Sequence, residues 1–257
     1  MGSDHLLVDR EGDIVTVTLN RPEKRNTLAI DVLRDLGNTL REIGDSDARG
    51  VILAANGPVF SAGHNFADMY QAPLNDIRRL FQVCTETMDT LQSIPQPVCA
   101  RVHALATAAG CQLVATCDLA VASDEASFAI PGGKGGLFCH TPLVAVGRNV
   151  GRKRALELAM TGDAIDARTA ADWGLINKAV PADQLDAATD ELSRRATRGS
   201  ARAKGMGKQS YYAQIDLDQP KAYAYAIEIM SAGATTYDGQ EGIAAFLEKR
   251  KPSFKNT

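Results

Sequence analysis

The chain has 257 residues, 45% of them hydrophobic and 23% charged, which is enough apolar material for one large core with a terminal appendage. A formal net charge of -3, with lysine and arginine scattered instead of clustered, excludes a basic face for nucleic acid. No apolar run approaches the ~18 residues of a membrane span, and the opening "MGSDHLLVDREGD" is charged from its fourth residue, without the apolar centre of a signal sequence.

Strands come first. "HLLVDREGDIVTVTLNRP" alternates apolar and polar residues on both sides of Glu11-Gly12-Asp13, the pattern of a hairpin that ends at Arg21-Pro22. Next, "AIDVLRDLGNTLREIGDS" sets Ile30, Leu33, Leu36, Leu40 and Ile43 at steps of three and four, which gives one apolar helical face. "RGVILAANGP" is a short apolar strand closed by an Asn-Gly-Pro turn. A long helix over about 74–94, the strand "PVCARV", a helix over about 108–117 and the strand "DLAVAS" form a second strand–helix–strand unit. Alternation of short apolar strands with helices predicts an α/β core sheet. From about 183 the pattern is helical throughout, in "DQLDAATDELSRRATRG", "QPKAYAYAIEIMSAGA" and "DGQEGIAAFLEKRK", so the last sixty or so residues read as a helical appendage.

The five cysteines, Cys84, Cys99, Cys111, Cys117 and Cys139, are odd in number and lie in apolar surroundings with no Cys-x-x-Cys spacing. Neither disulfides nor zinc are expected, and the setting predicted is a reduced, cytoplasmic one. His5 and His103 lack metal-ligand spacing, so no metal site is expected.

Two stretches could cradle an anion. In "GPVFSAGHNFADM" a Ser-Ala-Gly-His run follows a strand and a turn, and Gly63 frees the backbone to present its N–H groups. In "TAAGCQL" small residues open a helix whose first N–H groups are unpaired. Two such donors on one oxygen make an oxyanion hole, able to stabilise the enolate of a thioester. Small residues before a helix equally serve close packing, and spacing alone leaves both readings open.

The pieces "VTVTLNRPEKRNTL", "VILAANGPVFSAGHNFADM", "PVCARVHALATAAGCQLVATCDLAVASDEASFAIP", "ALELAMTGDAIDARTAADWGLINKAVP" and "DGQEGIAAFLEKRKPSF" together resemble the crotonase superfamily, the enoyl-CoA hydratase/isomerase family, over about 13–254. Within it, "GPVFSAGH", "ATAAGCQL" and "GLFCHTP" are most similar to the subgroup of enoyl-CoA hydratase domain-containing protein 3. The resemblance implies a crotonase-type spiral of β-β-α units over 1–195 and a C-terminal helical trimerisation region over 196–257. It also implies assembly as a homotrimer or a hexamer (a dimer of trimers), and binding of an acyl-CoA thioester, with coenzyme A as part of the substrate and no other cofactor.

Carried over residue by residue, the oxyanion donors are the backbone N–H groups of His64 and Ala109. The carbonyls of Ala62 and His64 flank Gly63 and receive the adenine amino group. Lys24 and Arg25 lie along the CoA phosphates and pantetheine, and Phe246 and Lys249 serve a neighbouring subunit's CoA.

In hydratases of this family two glutamates hold a water and exchange its protons with the substrate α-carbon. Their positions align with Gln112 and Gly132. A glutamine amide orients a water but accepts no proton near neutral pH, and glycine has no side chain. A positioned acid or base is typically worth ~10²–10⁴ in rate, so ordinary hydration should nearly vanish, although the two losses need not multiply. Cys139 and His140, at a helix start facing the pocket, are substitute candidates for nucleophile or base, against a packing role. Asp68 near the pocket mouth is read against a solvated helix face, Asp118 as architectural, Lys134 as an exposed loop cation and Trp173 as core.

The expectation is a protein that is an enoyl-CoA hydratase of fatty acid metabolism by family and a poor one by chemistry. The alternatives are a catalytically silent acyl-CoA-binding or scaffolding protein and an acyl-CoA thioester hydrolase.

Overall fold

In the computed structural model, which describes residues 5–256, the expected hairpin forms from β1 (Leu6–Glu11) and β2 (Ile14–Leu19), paired from Leu6 with Leu19 to Glu11 with Ile14. Met1–Asp4 of the charged opening segment, and Thr257, lie outside the described residues. Gly12 takes the turn at φ +59, a conformation open to glycine at little strain. Helix α1 (Ile30–Gly44) buries Leu33, Leu36, Leu40 and Ile43 and half-buries Ile30, the stripe its spacing predicts. Each such leucine or isoleucine withdrawn from water contributes about 1.5–3 kcal/mol.

Strand β3 (Gly50–Ala55) is buried along its whole length, as befits a parallel strand covered on both faces. Helix α2 (Leu74–Ser93) and β4 (Val98–Val102) follow, then the two-residue β5 (Ala106–Thr107) and α3 (Ala109–Thr116). Beyond them come β6 (Leu119–Ser123), β7 (Ser127–Ala129), α4 (His140–Val150), α5 (Arg152–Thr161), β8 (Ile165–Asp166), α6 (Ala167–Trp173) and β9 (Lys178–Val180). The main sheet runs β1-β2-β3-β4-β6-β9, parallel except for the opening hairpin.

A second, smaller ladder organises the site. β5 pairs in parallel with β7, and β7 pairs antiparallel with β8. Single bridges extend it through Ser61–Ala106 and Leu28–His64. Backbone hydrogen bonds form the rungs: Leu28 N–H to Gly63 O at 2.8 Å, Thr107 N–H to Ser61 O at 3.0 Å and Ala108 N–H to Ala129 O at 2.8 Å. Each circuit of the chain therefore lays a strand in the main sheet, a rung on the ladder and a helix outside, which is the spiral of β-β-α units.

Helix α7 (Leu185–Thr197) packs against β3, β4 and β6. Helix α8 (Ala201–Gln214) is pinned to the sheet layer by a buried ion pair. The Lys208 ammonium meets Asp118 Oδ2 at 2.7 Å, Leu91 O at 2.7 Å and Gln96 O at 2.8 Å. Asp118 also accepts from Val98 N–H and Tyr212 Oη, so its role is architectural. Burial lowers the Lys208 pKa and raises that of Tyr212. Helices α9 (Gln219–Thr235) and α10 (Tyr237–Leu247) complete the tail, and no residue of α9 is buried. Among the described residues no helix is long and apolar enough to cross a membrane.

Candidate active site

The segment 61–64 enters the ladder after β3, and its N–H groups can be accounted for one by one. Ser61 N–H reaches Leu105 O at 3.3 Å, Ala62 N–H reaches Arg25 O at 3.0 Å, and Gly63 N–H reaches the Ser61 hydroxyl at 3.3 Å. His64 N–H has no partner among the described residues. The carbonyls of Ala62 and His64 likewise accept nothing among the described residues, whereas that of Gly63 is taken by Leu28.

The next rung yields the second donor. Thr107 and Ala108 spend their N–H groups on the ladder, Gln112 N–H bonds back to Ala108 O, and Ala109 N–H, at the first position of α3, has no partner among the described residues. Gly63 brings the two segments together. It has φ +85, and a Cβ there would lie 2.8 Å from Ala108 Cβ, 3.0 Å from Thr107 O and 3.2 Å from Ala109 N. Gly110 does the same from the helix side, since a Cβ there would fall 2.5 Å from Ser61 O. Both free donors thus sit where two backbones touch, a place only glycine permits.

Ala108 stands in a conformation that alanine rarely adopts, φ 51 and ψ -119. Its ψ orients the peptide that carries the Ala109 N–H, so the strain is stored at the donor itself. Asn26, which the sequence reading passes over, holds the other side. It is 2% exposed with φ 48, accepts from Arg21 N–H at 2.9 Å, and donates to Asn56 O at 2.7 Å and Val59 O at 3.1 Å. Its carbonyl receives the Ser61 hydroxyl at 2.8 Å. A polar residue in "EKRNTL" that tolerates a left-handed turn was the only signal available.

Gln112 lies on the first turn of α3, buried, with its Oε1 sealed and unpartnered among the described residues. The His64 ring meets Phe81 edge to face at 5.2 Å, and its Nε2 is also sealed without a partner among the described residues. Burial pushes its pKa down to about 4, with Asp68 opposing, so the imidazole is neutral. Phe81 also lines a hollow of about 720 Å³ along the outer face of α2, with Leu74 and Ile77.

Gly132 is closed off. A Cβ there would lie 2.1 Å from Leu137 O and 2.7 Å from Cys139 Sγ, and its N–H donates to that sulfur at 3.3 Å. Burial raises the Cys139 thiol pKa, with the Gly132 contact opposing. His140 is exposed and tilts against Phe138 at 5.0 Å.

Asp68 caps α1 with one oxygen, at 3.3 Å from Ile30 N–H, and takes Asn65 Nδ2 with the other at 3.0 Å. It is a clasp between the 65–68 turn and α1. Lys24 and Arg25 are exposed on the turn whose Arg25 carbonyl holds Ala62. Phe246 and Lys249, at the end of α10, are exposed and touch none of these groups in the contacts the structure records. Lys134 pairs with Asp163 on the surface, Trp173 packs on the core beneath Arg154, and His103 binds Gly57 O at 2.8 Å. No group of three or more metal-ligating side chains occurs among the described residues.

A family model described as enoyl-CoA hydratase/isomerase matches residues 9–257. The mouse (Mus musculus) "Enoyl-CoA hydratase domain-containing protein 3, mitochondrial" is 44% identical over 95% of this chain and 82% of its own length. The Danio rerio protein of the same name is 42% identical over 98% and 88%. Among solved structures, an enoyl-CoA hydratase from Mycobacterium smegmatis superposes with a TM-score of 0.94 at 43% identity, covering 97% of this chain and 98% of that one. Human enoyl Coenzyme A hydratase domain-containing protein 3 gives 0.94 at 41%, covering 97% and 100%.

These relatives correct one expectation. The cytoplasmic setting predicted from the cysteines is overturned by the word "mitochondrial" in the names of the mouse, rat, zebrafish, frog and human proteins. All five thiols here are indeed free and buried, and burial pushes Cys84 and Cys111 up to about 12. Thiols this inert report packing and carry no information about compartment.

Proposed function

The chain belongs to the enoyl-CoA hydratase/isomerase family, and on that premise we propose that it binds an acyl-CoA thioester while lacking the proton-transfer pair of an efficient hydratase. The observation that carries this reading is the pair of unpartnered N–H groups, His64 and Ala109, on two segments pressed together at Gly63. Backbone donors fixed by a ladder before any ligand arrives suit a thioester oxygen that gains charge, because no reorganisation is needed as the charge develops. The free carbonyls of Ala62 and His64 and the exposed Lys24 and Arg25 supply acceptors for an adenine amino group and cations for phosphates.

On the chemistry, Gln112 takes up no proton, and Gly132 is packed so tightly that no side chain fits. Asp68 has both oxygens engaged, and the His64 imidazole is neutral with its Nε2 sealed. A hydrolase using Cys139 is disfavoured, since its thiol is buried, protonated and committed to Gly132, and no residue among those described orients His140 as a base.

Two measurements test the reading. Calorimetry with butanoyl-CoA and with free CoA should show binding of both, and no heat from either at millimolar ligand removes the proposal. With crotonyl-CoA, hydration should fall ~10³-fold or more below that of a two-glutamate relative. A rate of ~10² per second or faster would require another acid/base pair and overturn the chemical half.

A further inference from the structure

The N-terminal ends of the parallel strands frame a cleft of about 720 Å³. Asp13, Arg49 and Gln96 line it from positions just ahead of β2, β3 and β4, and Arg202 and Lys204 line it from the first turn of α8. His64 and Ala109 follow the opposite ends of β3 and β4, so the cleft lies a strand's length, about 17–20 Å, from the two free donors and shares no residue with them.

Its charge is one-sided. Arg49, Arg202, Lys204 and Lys255, drawn from three separate stretches of sequence, meet at the cleft, and none forms an ion pair among the described residues. Asp47 is spent on Arg10, which leaves Asp13 as the one unpaired acid of the lining. Asp238, which Arg49 feels at longer range, is spent on the Ser200 hydroxyl and the N–H groups of Lys255 and Asn256. Helix α8 adds its positive end. Ala201 N–H goes to Asn256 Oδ1 and Ala203 N–H to the Ser200 hydroxyl, while Arg202 N–H has no partner among the described residues.

Two side-chain atoms of the lining residues are buried with no partner among the described residues, Arg49 Nε and Gln96 Oε1. The Arg49 guanidinium is anchored through Nη2 on Thr197 O and Gly199 O. Gln96, 4% exposed, turns its Nε2 to the carbonyls of Ile43, Gly44 and Ala48, so its oxygen is the end left over. A cationic donor and a neutral acceptor together ask for a ligand that is anionic and still carries a proton. Phosphate groups meet both conditions, because their second ionisation lies near pH 6; sulfate and carboxylates are stripped of protons well below that. We infer that this cleft binds the phosphate groups of a small phosphorylated metabolite, at a site separate from the one proposed for acyl-CoA. Its volume is that of a small-molecule site and is too small for nucleic acid.

The test is calorimetry at about pH 6.5 on the full chain, with pyrophosphate, inorganic phosphate and sulfate as probes. Each charge-assisted contact, and each buried acceptor left unpaired, is worth roughly 10- to 100-fold in affinity. Pyrophosphate should bind equally with and without saturating butanoyl-CoA, and sulfate should bind at least 10-fold more weakly than inorganic phosphate. Arg202→Gln with Lys204→Met, side chains that lose no partner, should weaken pyrophosphate 10- to 100-fold or more at an unchanged melting temperature. Arg202→Glu alone, at an exposed position, should act in the same direction. No pyrophosphate binding at millimolar concentration overturns the proposal. So does displacement by butanoyl-CoA, which would place the probe at the CoA phosphates, and so does full affinity in the variants, which would place it elsewhere. Sulfate binding as well as phosphate would overturn the assignment to phosphate. None of these outcomes touches the acyl-CoA reading, which stands or falls on the binding of butanoyl-CoA and CoA themselves.

Discussion

At the scale of single residues, the site is a matter of absent atoms. Gly63→Ala puts a methyl 2.8 Å from Ala108 Cβ and 3.0 Å from Thr107 O while keeping φ +85, so it must spread the two donors. Acyl-CoA affinity in calorimetry should fall at least 100-fold, with destabilisation of about 1–2 kcal/mol in urea. Ala108→Gly relieves the strain at φ 51 and should stabilise the fold by about 1 kcal/mol. It also frees the peptide that aims Ala109 N–H, so affinity should drop as stability rises, the two measured side by side. His64 makes a pH prediction. Its pKa lies at about 4 in the fold against an ordinary 6.5, so between these values the unfolded chain binds more protons and stability is lost as pH falls. The loss should be on the order of 2 kcal/mol by pH 4, read from urea unfolding. It should be absent in His64→Asn, whose amide does not titrate there.

At the scale of elements, Lys208 and Asp118 join α8 to the sheet, with side chains 8% and 14% exposed. Lys208→Met leaves Asp118 buried without a cation and should cost about 3–5 kcal/mol in urea unfolding. Limited proteolysis should then cut first between α7 and α8. Adding Asp118→Asn should restore much of the loss, the coupling expected of a buried pair. Helix α8 was also the helix least legible in sequence. Gly205 and Gly207 weaken its pattern, and the reason for Gly205 is visible only in three dimensions, since a Cβ there would lie 2.7 Å from Pro95 Cβ. By contrast α1 announces itself, because every apolar residue at three- and four-step spacing faces the core. Strands β5, β7 and β8 run two or three residues, too short for any period to register. The candidate site divides in the same way. The alignment of Gln112 and Gly132 with the family's two glutamates is an expectation that only the resemblance supplies, whereas the closure of position 132 by Leu137 and Cys139, and the clasp made by Asn26, depend on contacts between successive circuits.

For the whole molecule, the tail helices leave an apolar surface that the single chain does not cover. Ile227 and Met230 on α9 are 59% and 80% exposed, and Phe246 and Leu247 on α10 are 83% and 72% exposed. A surface of this kind calls for a partner, and the proposed one is a second and third copy of the chain. Sedimentation at micromolar concentration should give a trimer or hexamer, and Met230→Glu with Phe246→Glu should shift it to monomer with the helical content kept; a monomeric parent chain would contradict this. The ladder carries a different consequence, one of descent. The two donors hang on adjacent rungs, so their separation is set by the ~4.8 Å interval between neighbouring strands, not by how many residues the chain spends travelling round. Loops on the outside of each circuit are therefore free to lengthen, shorten or diverge over generations while the interval between the two N–H groups keeps its gauge, and a lineage can exchange the side chains around them without having to rebuild the ladder.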